Sequence, residues 1–139
     1  MRKRLIPDDL GDLLEQPLLA VLATIRRNGT VMLSPVWHEW RDGGFNVVTA
    51  TDDGKVRHLR RDPRASIVVC EQVPPYRGLE LRASAQLRPV DGPAMVARIA
   101  GRYLGPQAGG RYAESGNDDL LIRIEPGELR GWDFTDDFD

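Results

Sequence analysis

Two turn signals placed close together constrain the fold of this chain most strongly. Asn28-Gly29 and Asp42-Gly43-Gly44 are typical of tight turns between antiparallel strands. They separate strands that we predict over residues 18–25, 30–40 and 45–49. The chain therefore enters three sequential antiparallel strands within its first third, which favours a mainly β fold.

The rest of the chain predicts more hairpin strands with a few inserted helices. Helices are expected over residues 6–16, 53–61 and 92–104, strands over 65–71, 79–87, 120–124 and 129–134, and a glycine-rich loop over 105–116. Six or seven strands with three helices fit an antiparallel β-barrel, because closing a sheet removes its exposed edges. We predict one such barrel domain over residues 1–139.

Composition excludes several classes of protein. The net charge of −2 and a pI near 5.7 disfavour general affinity for nucleic acid. The longest apolar run, residues 18–23, is too short to cross a bilayer, and Pro7 and Asp8 interrupt a signal peptide. Cys70 is the only cysteine, so no internal disulfide can form and a cytoplasmic location is expected.

Few residues suggest chemistry of their own. His38 and His58 lack the spacing of a metal site, so none is expected. His38 alternates with apolar neighbours, which indicates a partly buried, hydrogen-bonded side chain. Cys70 ends the apolar run IVVC and is interpreted as a small hydrophobic residue. No serine lies in the Gly-x-Ser-x-Gly context of a hydrolase.

The strongest local charge lies on the predicted helix after the second hairpin. Lys55 begins a basic cluster that continues through Arg57, Arg60, Arg61 and Arg64. A charge run of this kind is ordinarily a solvated surface, but behind two hairpins it could bind a phosphorylated tail. On a helix Lys55 shares a face with His58, whereas Arg57, Arg60 and Arg61 share another.

Three segments carry a family resemblance: LATIRRNG, SPVWHEWRDGGFNVVTAT and KVRHLRRDPR. Together they resemble the flavin-binding split β-barrel family related to pyridoxamine 5′-phosphate oxidase, and within it the actinobacterial branch that uses the deazaflavin coenzyme F420. The resemblance implies a homodimer with its cofactor at the subunit interface. It also implies hydride transfer to or from the bound ring.

The resemblance also implies positions for the cofactor. Lys55 would contact its phosphate, and the nearby tail contacts would come from Arg57, His58, Arg60 and Arg61. The ring and ribityl chain would lie along Thr49, Ala50 and Thr51. The neighbouring strand would cover the ring with Pro35, Val36 and Trp37. One departure is the pair Asp52-Asp53, because carboxylates at a helix N-terminus compete with a phosphate there.

The leading hypothesis is an F420-dependent reductase acting on a small unsaturated organic acceptor. Flavin mononucleotide (FMN) in the same fold is the second reading, and a cofactor carrier without turnover is the third. A small barrel that binds nucleic acid is the weakest. The acceptor could stack on Trp37, Tyr76, Trp132 or Phe134, which the sequence alone does not place.

Overall fold

The computed structural model describes residues 1–115, 118–125 and 127–138. Nine strands lie within these ranges: β1 (Arg2–Leu5), β2 (Ala20–Ile25), β3 (Val31–Val36), β4 (Glu39–Arg41), β5 (Gly44–Ala50), β6 (Arg64–Cys70), β7 (Gly78–Pro89), β8 (Asp119–Ile124) and β9 (Glu128–Asp133). The helices are α1 (Gly54–Arg61), α2 (Gly92–Leu104) and α3 (Pro106–Glu114). Short 3-10 turns span Pro7–Leu10, Leu13–Glu15 and Thr135–Asp137.

The strands form one antiparallel sheet that curls into a split β-barrel, as predicted. Its order is β3-β2-β6-β7-β8-β5-β4, and β9 joins β7 to β1. The long strand β7 makes the curl possible, because its first half pairs with β9 and its second half pairs with β8. The sheet therefore turns around its own apolar face.

Alternating side chains explain where the core lies. In β2 and β6 every second residue is buried, as expected for strands with one face covered. Leu22, Phe45, Ile67 and Ile122 are all fully buried inside the curl. A smaller cluster of Met95, Ile99 and Leu121 fixes α2 against the outer side of the sheet, where Trp37 and Val48 also pack.

The strand predicted over residues 30–40 is broken in the structure. It ends at Val36, and a separate strand begins at Glu39. The backbone groups of the intervening His38 hydrogen-bond to side chains of α2 and not to a neighbouring strand: its N–H donates to the Tyr103 hydroxyl, and its carbonyl accepts from Arg102. As a result β3 pairs with β2 and β4 pairs with β5, at opposite ends of the sheet order. Both predicted hairpins form, but the prediction of one continuous strand over residues 30–40 was wrong.

The glycine-rich loop predicted over 105–116 is largely the helix α3. Helix α3 packs against α2 where Gly109 faces Gly101, and a Cβ at Gly109 would lie 2.6 Å from the Gly101 Cα atom. Glycine here permits close contact between helices and does not mark a loop. Gly116 lies outside the described residues.

Three smaller expectations also differ from the structure. Residues 6–16 form two 3-10 turns and not one helix, with Gly11 between them in the left-handed region at φ 59°. The strand β1 was not predicted. Cys70 is exposed, because it follows the buried Val69 and therefore faces the other side of β6.

None of the helices in the described residues is long and apolar enough to span a membrane.

Candidate functional site

A cleft forms where the end of β3, the strand β5 and the start of α1 come together. We call it the apolar cleft; it has a volume of about 370 Å³ and is lined by Leu19, Pro35, Val36, Trp37, Val48, Thr49, Lys55 and Tyr112. Five of the predicted cofactor contacts therefore share one cleft. Thr49 and Lys55 come from the short segment where β5 leads into α1, and the other three come from the end of β3 and the residue after it.

A second cleft adjoins the first and shares Val48, Thr49 and Tyr112 with it. This acidic cleft has a volume of about 700 Å³, and its further lining residues are Ala50, Thr51, Asp52, Asp118 and Asp119. The Thr51 backbone N–H donates to the Asp118 carbonyl at 3.0 Å, which joins the end of β5 to the segment before β8. Burial, together with the neighbouring Asp118, raises the pKa of Asp119. Both volumes fall within the range of small-molecule sites.

Two aromatic side chains form one wall of the apolar cleft. Trp37 stacks on Tyr103 with ring centroids 5.2 Å apart and planes 9° apart, and it meets Tyr112 at 5.5 Å. Tyr112 was missed because its helix was predicted as a loop. Of the four aromatic residues considered for stacking, Trp37 alone lines these clefts; the others are Tyr76, Trp132 and Phe134.

Asp53 occupies the N-terminus of α1. Its Oδ1 atom accepts from the Lys55 backbone N–H at 3.0 Å and lies 3.0 Å from Lys55 Nζ. Burial opposes the charged form of this carboxylate, but both bonds from Lys55 favour it, and the net effect lowers the pKa of Asp53. The Lys55 side chain is only 12% exposed. Asp53 therefore holds the place at the helix end that a phosphate would take.

The remaining predicted contacts lie in a separate depression. This arginine groove has a volume of about 500 Å³ and is lined by Arg26, Arg27, Arg57, His58, Arg60 and Arg61. Arg26 and Arg27 were not predicted, although they directly precede the Asn28-Gly29 turn. The Arg57 guanidinium also donates to the Asp52 carbonyl at 2.9 Å, so the groove begins beside the N-terminus of α1.

His58 lines the arginine groove, whereas Lys55, three residues earlier on α1, lines the apolar cleft. Its Nδ1 atom lies 3.0 Å from the Thr24 hydroxyl on β2, which turns the ring toward the arginines. Partial burial and the nearby Arg61, Arg26 and Arg57 lower the pKa of His58. An anion bound in the groove would relieve that repulsion and favour the protonated ring.

His38 is fully buried and lies behind the apolar cleft. Its Nδ1 atom is 3.0 Å from the Tyr103 hydroxyl, and its Nε2 atom has no hydrogen-bond partner among the described residues. Burial, followed by the charge of Arg102, lowers the pKa of His38 to about 4. The ring is therefore neutral near pH 7 and lines neither cleft. Among residues 1–115, 118–125 and 127–138, no three His, Cys, Asp or Glu side chains are grouped to hold a metal ion.

Solved structures similar to this chain share its fold. A conserved hypothetical protein of Mycobacterium tuberculosis is 24% identical with a TM-score of 0.76, over 94% of this chain and 86% of that one. An F420 reductase is 27% identical with a TM-score of 0.72, over 89% and 98%. The heme storage protein HutZ of Vibrio cholerae is 20% identical with a TM-score of 0.68, over 93% and 94%.

The sequence itself gives the family. No curated protein sequence matches it. The family model described as pyridoxamine 5′-phosphate oxidase matches residues 6–133, which is almost the whole chain. This match agrees with the resemblance carried by the three segments between Leu22 and Arg64. The chain belongs to the pyridoxamine 5′-phosphate oxidase family.

Proposed function

We propose that this protein is a homodimeric oxidoreductase that binds reduced coenzyme F420 and transfers hydride to a small unsaturated organic acceptor. The observation that carries the proposal is the apolar cleft, where strand ends and aromatic rings surround a space that Lys55 borders. Family membership supports a flavin-type cofactor, and the similarity to an F420 reductase supports the deazaflavin.

The lining of the apolar cleft suits a flat conjugated ring. Pro35, Val36 and Val48 offer apolar contact, and Trp37 adds an aromatic surface. Thr49 borders both clefts, and the following Ala50 and Thr51 border the acidic cleft, so the backbone groups of this segment are available to the polar edge of a ring. Small-molecule sites commonly combine a mostly apolar lining with a few polar groups in this way.

The charges around α1 favour F420 over FMN. The terminal phosphate of FMN would need the helix N-terminus that Asp53 occupies. The acidic tail of F420 extends beyond its phosphate and can follow the path from Lys55 past Arg57 into the arginine groove. Charge-assisted contacts to Arg60 and Arg61 would hold that tail and would weaken with added salt.

The outer edge of the sheet supports a dimer. Within the part of the chain that the structure describes, β3 pairs only with β2, and its residues Val31 and Leu33 are 53% and 67% exposed. By strand alternation they share a face with Pro35 in the apolar cleft. Leu19, which also lines the cleft, is 55% exposed. A second copy seated on this apolar face would cover the cleft from outside.

The protein's part in the reaction is to bind, orient and exclude water. When bound, reduced F420 supplies the hydride that the acceptor receives. Trp37 and Tyr112 fix the plane of the ring, and Lys55 anchors the phosphate end of the cofactor. His38 takes no part in proton transfer, because it is buried behind the apolar cleft.

An acceptor screen tests this function. Wild-type protein is mixed with reduced F420 and a panel of unsaturated acceptors, and oxidised deazaflavin is followed by its absorbance. We expect turnover with at least one acceptor and strong loss of turnover in Lys55→Ala. Lys3→Ala is the matched control, because Lys3 lies exposed on β1. Binding of F420 without turnover on any acceptor would identify a carrier and refute the enzyme.

A further inference from the structure

Two consecutive residues of α2 hold the backbone around the apolar cleft without lining it. Arg102 and Tyr103 reach back to the segment before β2 and to the link between β3 and β4. Those two segments also contribute Leu19 and Trp37 to the cleft. The pair therefore acts on the cleft only through the backbone and through Trp37.

The Tyr103 hydroxyl joins the two segments directly. It donates to the Leu18 carbonyl at 2.9 Å and accepts from the His38 backbone N–H at 3.0 Å. It also lies 3.0 Å from His38 Nδ1. Because the Leu18 carbonyl can only accept, it takes the phenolic proton, and Nδ1 supplies the proton of the third contact. Every hydrogen-bonding position of the hydroxyl is thus used.

Arg102 makes a second set of bonds to the same backbone. One guanidinium nitrogen donates to the His38 carbonyl at 2.8 Å, and another donates to the Gln16 carbonyl at 2.8 Å and the Leu14 carbonyl at 3.2 Å. The planar fork of arginine can reach these diverging carbonyls at once, whereas a lysine ammonium cannot do so from one position.

Trp37 receives the effect of both residues. Its indole stacks on the Tyr103 ring, and its own backbone precedes the doubly held His38. We propose that Arg102 and Tyr103 are positioning residues that fix Trp37 as a rigid wall of the cofactor cleft. This inference rests on the proposed function, since it assigns the wall to cofactor binding. Rigid packing behind a contact residue preserves its geometry for the ligand.

Fluorine NMR tests the positioning without any ligand. The chain has three tryptophans, so protein labelled with 5-fluorotryptophan gives three resonances, and the one absent from Trp37→Phe belongs to Trp37. Tyr103→Phe keeps the stacked ring but removes the hydroxyl. We expect the Trp37 resonance to broaden or split in Tyr103→Phe, while the Trp132 resonance on β9 stays unchanged. A single Trp37 line as narrow as in wild type would overturn the proposal.

A matched pair of substitutions on α2 separates positioning from general stability. Arg102→Lys removes the guanidinium group that donates to the backbone carbonyls around the cleft. Arg98→Lys removes a comparable fork one turn earlier, where Arg98 binds Glu39 through two bonds of 2.7 Å and lies away from the apolar cleft. Broadening of Trp37 in Arg102→Lys but not in Arg98→Lys supports positioning. Equal broadening of the Trp37 resonance in both variants would show only a general effect on stability and would contradict the proposed positioning role.

Cofactor titration then tests the link to binding. With F420 as the probe, we expect Tyr103→Phe and Arg102→Lys to raise the Kd roughly tenfold, which is the lower end of the loss in metal affinity when the groups that support metal ligands are removed. Arg98→Lys should bind like wild type. If wild type binds no F420, the proposed function fails, whereas the NMR result still decides whether the pair fixes Trp37. An unchanged Kd in both variants, with wild-type binding intact, would overturn the role in binding.

Discussion

The buried imidazole of His38 makes the protein sensitive to mild acid. Its pKa is about 4 in the folded protein, against an ordinary value of 6.5. The folded state therefore binds this proton more weakly than the unfolded chain does. The contribution of neutral His38 to the free energy of unfolding is fully present above about pH 6.5, and it is lost progressively as the pH is lowered from 6.5 to about 4. At about 1.4 kcal/mol per pKa unit, His38 alone lowers the free energy of unfolding by about 2 kcal/mol between pH 7 and 5.

Urea denaturation at a series of pH values measures this loss. The range between pH 7 and 5 isolates histidine, because carboxylates such as Glu71, whose folded pKa is about 2, lose their contribution only as pH falls below the unfolded value near 4.5. His38→Gln removes the titrating group and should flatten the pH dependence by about 2 kcal/mol. His58→Gln is the matched control and should keep the His38 contribution. A slope in His38→Gln equal to that of wild type would refute the reasoning.

Three further predictions concern binding and packing. Lys55→Ala should raise the Kd for F420 by roughly ten- to a hundredfold in a fluorescence titration, because a charge-assisted contact is lost; an unchanged Kd would remove Lys55 from the site. Gly109→Ala should destabilise the protein by about 1–3 kcal/mol in thermal unfolding, since its Cβ would meet the α2 backbone, whereas Gly110→Ala, which has open space, should be neutral or stabilising. Equal effects would contradict that contact. Glu71→Gln should cost on the order of 2 kcal/mol in urea denaturation, because it breaks the two-pronged bond to Arg77; a change within error would show that the pair contributes little.

Local signals explain the parts of the fold that the sequence predicts well. Helix α2 has the predicted bounds, and α1 begins one residue inside its predicted start because Asp53 is its cap. The turn at Asn28-Gly29 joins β2 to β3 as expected. Each of these features depends on residues close in sequence, so periodicity and turn chemistry were sufficient.

The errors arise where distant residues decide the structure. The break after Val36 depends on Arg102 and Tyr103, which lie more than sixty residues later in the sequence. Helix α3 packs against α2 through the close contact of Gly109 with Gly101. Without knowledge of that contact, the glycine content of the segment favours a loop. Such contacts leave no periodic pattern in either segment.

The candidate site shows the same division. Pro35, Val36, Trp37, Thr49 and Lys55 meet in the apolar cleft as the family resemblance implies. Tyr112 was missed with its helix. The sequence could not show that Asp53 binds Lys55, because carboxylates near the start of a helix face solvent in some proteins and cap the helix in others. The basic residues were predicted as neighbouring contacts of one cofactor, and the structure divides them between the apolar cleft and the arginine groove.

The most direct test of the central claim is fluorescence titration of the purified protein with F420 and, in parallel, with FMN. The account predicts saturable binding of F420 that is clearly tighter than binding of FMN, because Asp53 fills the phosphate place at α1 and the arginine groove accepts a long acidic tail. Preference for FMN, or saturable binding of neither cofactor, would contradict it.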